Sequence, residues 1–337
     1  MTEQNVTFDS DGCALAGTYS EVAQPVAAAL LIAGSGQTDR NSDVRLPLHQ
    51  MLRGGITSAV AEALAAVQVS TLRYDKRGVG ASGGDYWTAG MAQRLADARA
   101  ALGWLATQAA GLPLLVVGHS EGTYYAAQLA AEGGVAGVVL LSGSARTGDE
   151  VLAWQAEQLA SRLPRSSQLI LRLLRTDAIR MQRKNLSKIL TSAEDVIRVQ
   201  GTRVNARWAR DFVRYDPAPA LRQLTVPVLA ITGGHDLQVP PDDVAVIGRL
   251  VGGPFDGHVV GDLSHMLRPD PGSVGPRGYR RAGRLPVSPE VLGLITAWAS
   301  RTLATPVTSA ACARAGSSKT IAKRNFINIQ KNPIQPR

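Results

Sequence analysis

Apolar positions along this chain follow two periods in alternation. Residues 26–33 form an unbroken apolar run ending in Gly34-Ser35-Gly36, which predicts a buried strand opening into a loop. Residues 57–67 repeat apolar side chains at helical spacing, and 69–74 read as the next buried strand. The rhythm continues with a helix over 91–107, a strand from Leu114, a helix over 123–131 and a strand over 135–141. It resumes further on with a strand over 227–232, a helix over 242–251, a strand over 257–260 and a helix over 288–303. Ser288-Pro289-Glu290 marks that last start, with a hydroxyl N-cap and proline at the first helical position. Near the beginning, strand-like runs at 6–8 and 15–19 flank the turn residues Ser10-Asp11-Gly12. Strands alternating with helices predict an α/β protein, a mostly parallel sheet covered on both faces.

Residues 145–218 interrupt the alternation. Thr147-Gly-Asp-Glu150 reads as a capping box, residues 151–163 follow with helical spacing, and Arg- and Leu-rich helical stretches succeed them, among them 168–174. An inserted helical cap is the expectation, with a return to the sheet at Pro227. Residues 304–337 lack periodicity and predict a basic, disordered tail after a domain spanning 1–303.

Composition changes this picture little. The net charge of +9 is concentrated: Arg314, Lys319, Lys323, Arg324, Lys331 and Arg337 lie beyond Ala304 with no acidic residue among them. A basic tail without aromatic stacking platforms is a solvated tail rather than a nucleic-acid surface. Cys13 and Cys312 stand at opposite ends of the chain and imply neither a disulfide framework nor a metal knuckle. No apolar run is long enough for a membrane span, and the first residues show no basic or apolar leader pattern, so a cytoplasmic location is expected.

The chemistry is concentrated at Leu114-Leu-Val-Val-Gly-His-Ser-Glu-Gly122. An apolar strand runs into Gly-x-Ser-x-Gly and then into a helix, the context in which a sharp turn lifts a serine hydroxyl clear of the backbone. Ser120 is therefore the candidate nucleophile. A serine hydroxyl needs a base to take its proton and a carboxylate to orient that base. Of the five histidines, His119 sits inside the turn and is expected to pack, His49 lies upstream, and His258 falls within the last predicted strand. His265 follows that strand on a loop and is the expected base. Asp236, in Thr232-Gly-Gly-His-Asp236-Leu-Gln-Val-Pro240, follows the preceding strand and is the expected acid, ahead of Asp262. The oxyanion that develops on attack needs backbone donors: the N–H of Glu121 and, from the loop after residue 33, the N–H of Ser35.

These motifs resemble the α/β-hydrolase superfamily. Ala33-Gly-Ser-Gly-Gln-Thr-Asp-Arg-Asn41, Arg73-Tyr-Asp-Lys-Arg-Gly-Val-Gly-Ala-Ser82 and Tyr215-Asp-Pro-Ala-Pro-Ala220 are similar to segments of its bacterial esterase and serine-aminopeptidase-like subgroup, related to dienelactone hydrolases. Ala33 and Gln37 depart from the His and Pro found there. The resemblance covers roughly residues 5–303. It implies hydrolysis of a small-molecule acyl ester through an acyl-enzyme, with no cofactor and no metal. A thioesterase or aminopeptidase on the same triad, and a non-catalytic binding scaffold, are the alternatives. Asp75 and Arg77 are expected to tie neighbouring loops together.

Overall fold

In the computed structural model, which describes residues 1–45, 51–162, 166, 176–269 and 281–304, eight strands form one sheet. They are β1 (Thr2–Ser10), β2 (Cys13–Glu21), β3 (Ala27–Ile32), β4 (Val69–Tyr74), β5 (Leu114–His119), β6 (Gly137–Leu141), β7 (Val228–Gly233) and β8 (Phe255–Val260). The spatial order is β1-β2-β4-β3-β5-β6-β7-β8. β1 and β2 are a hairpin, β2 pairs with β4 antiparallel, and every pairing from β4 to β8 is parallel.

Strands β3, β5 and β6 read as largely continuous apolar runs because both faces are covered, while β4 buries Ser70, Thr71 and Arg73 among its apolar residues. All six residues of β3 are buried, yet they serve two cores. Ala28, Leu30 and Ile32 pack with helices α2 (Met91–Ala109) and α3 (Gly122–Glu132). Ala27, Ala29 and Leu31 pack with α1 (Ile56–Ala66) and with the final helix, Pro289–Ala304. Alternate side chains of a strand point to opposite faces, so one run feeds both layers.

The parallel register aligns the carboxyl ends of the central strands. Ile32 pairs with Gly118, His119 with Leu141, Ile231 with Leu141, and Gly233 with Val260. The loops after β3, β5, β6, β7 and β8 therefore open at one edge, where open α/β sheets place their ligands.

Between β6 and β7 lies the insertion: α4 (Gly148–Ser161), α5 (Ala178–Thr191), α6 (Ala206–Arg214) and the short α7 (Ala218–Arg222). The insertion is not wholly helical. Val196–Val199 and Thr202–Asn205 pair antiparallel around Gln200-Gly201, both at positive φ (49° and 79°). Two left-handed residues in succession suit the tight turn of a hairpin. The expected helix over 168–174 lies outside the described residues, as does the expected tail beyond Ala304. The remaining helices are α8 (Asp243–Leu250) and α9 (Pro289–Ala304).

Candidate active site

Ser120 sits between β5 and α3 with φ at +52°, a left-handed conformation that side chains rarely adopt. Its N–H donates to the Leu141 carbonyl at 2.8 Å, and its own carbonyl accepts from the Thr123 N–H at 2.9 Å. The flanking glycines make room for the turn. A Cβ on Gly118 would stand 2.3 Å from the Gly122 carbonyl oxygen, and one on Gly122 would stand 2.4 Å from that of Ile32. Both contacts are closer than real Cβ atoms approach backbone, so these two positions require glycine.

The three side chains nominated by sequence converge at the strand ends. Ser120 Oγ lies 3.0 Å from His265 Nε2, and His265 Nδ1 lies 2.8 Å from Asp236 Oδ2. Because the carboxylate accepts, Nδ1 carries the proton and Nε2 presents its lone pair to the serine hydroxyl. Asp236 is itself held: its Oδ1 accepts from the N–H groups of Gln238 (2.7 Å) and Val239 (3.0 Å), and its side chain is fully buried. Asp262 is exposed on the turn after β8, whereas Asp236 makes the bond to His265. His258 lies on β8 paired with Asp256 at 2.7 Å, away from the serine; His49 falls outside the described residues.

Two cavities meet at Ser120. One of about 100 Å³ runs under the insertion between Tyr124, Val151, Leu152, Trp208 and Phe212. The other, of about 130 Å³, lies against the 34–44 loop, Ile56 and Met266. Ser35 lines both and Glu121 lines the first, so both predicted oxyanion donors border the serine. Among the described residues no cluster of His, Cys, Asp and Glu is arranged to hold a metal ion, and no helix is long and apolar enough to cross a membrane.

Residues 53–265, from just before α1 to the histidine itself, match the family described as serine aminopeptidase, S33. The chain belongs to this family of α/β-hydrolases. Esterase EstD of Thermotoga maritima is 25% identical to this S33-family protein over 276 residues, 81% of the chain. The chain spans 62% of that relative's length. Among solved structures, Est1E from Butyrivibrio proteoclasticus with bound ferulic acid superposes with a TM-score of 0.60 at 16% identity, covering 89% of this chain and all of that one. Proline iminopeptidase from Mycobacterium smegmatis superposes with a TM-score of 0.59 at 12% identity, covering 89% and 99%. At such identities these likenesses establish the fold, as the strand pattern led us to expect.

Three supporting features of this S33-family site have partners that the sequence did not announce. The first is His119, expected to pack. Its Nε2 donates to the His265 carbonyl at 3.0 Å, anchoring the loop that carries the candidate base. Burial, with the adjacent His265 ring, pushes His119 down to about 3, so it stays neutral and keeps one N–H to donate.

The second is the surrounding of Glu121, buried directly after the nucleophile. Its carboxylate accepts from Arg94 (2.9 and 3.1 Å), the Tyr125 hydroxyl (2.5 Å) and the Trp208 indole (2.8 Å). Burial alone would raise its pKa; the Arg94 guanidinium, followed by Lys76 and the two hydrogen bonds, holds it below the usual carboxylate range. Arg94 in turn lies over the rings of Tyr86 and Trp208, at 4.8 and 5.4 Å from their centroids. The signal was present in α2, whose buried stripe includes Arg94 and Asp97 among alanines. The pairing of Arg94 with Glu121, 27 residues on, and the meeting with Trp208, 87 residues from Glu121, had none.

The third is the fan of bonds around Asp75-Lys76-Arg77. Asp75 accepts from the Arg40 N–H and guanidinium (2.8 and 2.7 Å) and from the Ala81 N–H (2.9 Å). Arg77 pairs with Asp97 at 2.6 Å and donates to the Ser10 carbonyl at 3.1 Å. Both residues tie loops together, as expected; Lys76, between them, reaches the loop after β3 instead.

Proposed function

We propose that this protein is a serine hydrolase acting on carboxylic esters of small to medium acyl chain. The observation that carries the reading is the aligned set of contacts from Ser120 Oγ to His265 Nε2 and from His265 Nδ1 to Asp236 (3.0 and 2.8 Å), on a strained turn facing two cavities. In this reading His265 takes the Ser120 proton as Oγ attacks the ester carbonyl. The carbonyl electron pair moves to oxygen, where the N–H groups of Ser35 and Glu121 receive it. Collapse expels the alcohol with the proton from His265, and water then repeats the sequence to release the acid. Asp236 keeps the imidazole in its tautomer and stabilises the imidazolium.

Ester is favoured over an aminopeptidase substrate by the charge of the cavity walls. A substrate with a free α-amine calls for an unengaged carboxylate near the scissile bond. Among the described residues lining the two cavities the one carboxylate is Glu121, already engaged by Arg94, Tyr125 and Trp208. The walls are otherwise apolar or neutral, which suits an uncharged acyl group, and the similarity to EstD points the same way. Hydrolysis of p-nitrophenyl butyrate tests the proposal. Ser120→Ala should lose on the order of 10⁴-fold or more in kcat and all labelling by a fluorophosphonate probe, with the protein still folded. Retained turnover in that variant would refute the mechanism. A faster rate on aminoacyl arylamides than on esters would refute the substrate class.

A further inference from the structure

Lys76 is buried, standing just beyond the end of β4. Its ammonium donates to three acceptors of one loop: the Gly34 carbonyl, the Gly36 carbonyl at 3.1 Å and the Thr38 hydroxyl at 2.7 Å. The Thr38 hydroxyl in turn donates to the same Gly34 carbonyl at 2.8 Å. Among the described residues these are its hydrogen-bond partners, and no carboxylate is one of them. A buried ammonium held by carbonyls and a hydroxyl is an unfavourable filler, since an apolar chain would avoid the desolvation. Burial draws its pKa down to about 7; the Glu121 carboxylate opposes the fall and Arg94 adds to it.

The orientation of one peptide gives the residue a purpose. In a trans peptide the C=O and the following N–H point in opposite directions. With the Gly34 carbonyl turned onto Lys76 and Thr38, the N–H of Ser35 is turned away from them. The face away from Lys76 is the reaction side. Ser35 borders both cavities at Ser120, and a Cβ on Gly34 would stand 3.1 Å from Ser120 Cβ. Lys76 itself borders neither cavity and cannot touch a substrate there. A flip of this peptide would present a carbonyl where an oxyanion donor is needed.

We propose that Lys76 is the positioning residue of the oxyanion loop, clamping the Gly34 and Gly36 carbonyls so that the Ser35 N–H faces the carbonyl under attack. The proposal rests on the serine hydrolase reading and adds to it a residue that no catalytic motif selects. Lys76 stands beside Asp75, which holds Arg40 of the same loop, while Arg77 on its other side ties to Asp97 and Ser10.

The test uses the full chain with Lys76→Met, which keeps the length of the stem and removes the donor. Two quantities are read on folded protein: kcat and KM for p-nitrophenyl butyrate, and Ki for a trifluoromethyl ketone whose hemiketal oxyanion occupies the same donors. Losing one oxyanion donor outright costs about 10²–10³-fold in kcat, so a loosened donor should cost roughly tenfold or more. The expectation is that fall in kcat, a KM within about threefold of the parent, and a ketone Ki weakened in parallel with kcat/KM. Fluorophosphonate should still label Ser120, which separates this loss from failure of the nucleophile. Ketone affinity and kcat both within about twofold of the parent would overturn the proposal. If Lys76→Met does not fold, Thr38→Val decides, because it removes the second clamp on Gly34. The same parallel loss at smaller size supports the proposal, and unchanged ketone affinity overturns it. An active Ser120→Ala enzyme would instead refute the serine hydrolase reading itself.

Discussion

Gly122→Ala puts the geometry of the serine turn under a quantitative test. The added Cβ would lie 2.4 Å from the Ile32 carbonyl oxygen, 3.0 Å from its carbon and 3.1 Å from the Ala33 oxygen. All three are backbone atoms at the end of β3, so no side chain can swing aside. Overpacking of this kind costs about 1–3 kcal/mol, and the upper part of that range applies where backbone must move. Alanine returns up to about 1 kcal/mol of helix propensity at this first residue of α3, leaving a net loss of about 2 kcal/mol. At about 2–4 °C per kcal/mol the melting temperature should fall by roughly 4–8 °C. The same displacement pushes Ala33 and Gly34 outward, moving the Ser35 N–H from the serine. A fall in kcat should therefore accompany the fall in stability.

Gly103→Ala is the matched control. Gly103 is exposed in the middle of α2, and a Cβ there meets nothing within 4 Å. The substitution should stabilise by about 0.5–1 kcal/mol with no change in kcat. Differential scanning fluorimetry and p-nitrophenyl butyrate turnover on both variants check the pair. If both shift the melting temperature in the same direction, the steric argument is wrong.

Two further outcomes follow from the buried charges. Arg94→Met leaves the Glu121 carboxylate buried with its cationic partner gone; breaking such a pair should destabilise by about 3 kcal/mol in urea unfolding, and a loss under about 1 kcal/mol would refute its importance. His119 binds a proton near 6.5 in the unfolded chain but only near 3 when folded, so the unfolded state takes up more protons between those values and stability falls as pH falls through that window. His119→Gln, which retains an N–H for the His265 carbonyl, should show a visibly shallower loss of stability between about pH 6.5 and about pH 4.

What the sequence by itself determined was mostly local in origin. Strand and helix periods follow from which faces are buried, so the apolar run at 26–33 and the helical spacing at 57–67 reported two covered layers before any contact was known. The Gly-x-Ser-x-Gly turn was legible because its strain is a property of five consecutive residues. Asp236 and His265 were legible because strand ends in a parallel sheet share one edge, which topology alone guarantees. The hairpin at 196–205 was missed because four-residue strands carry too few alternations to stand out from an Arg-rich helical context.

The tertiary structure decided what depends on distant segments meeting. Nothing near Glu121 in the chain announces that Arg94 will pair with it and Trp208 donate to it, and nothing near Lys76 announces the Gly34 carbonyl 42 residues before it. A buried charge is tolerable only when its partners arrive together, and their arrival is fixed by sheet order and helix packing rather than by neighbours in sequence. The candidate triad was written in the chain, whereas the groups that hold it in place come together only once the chain has folded.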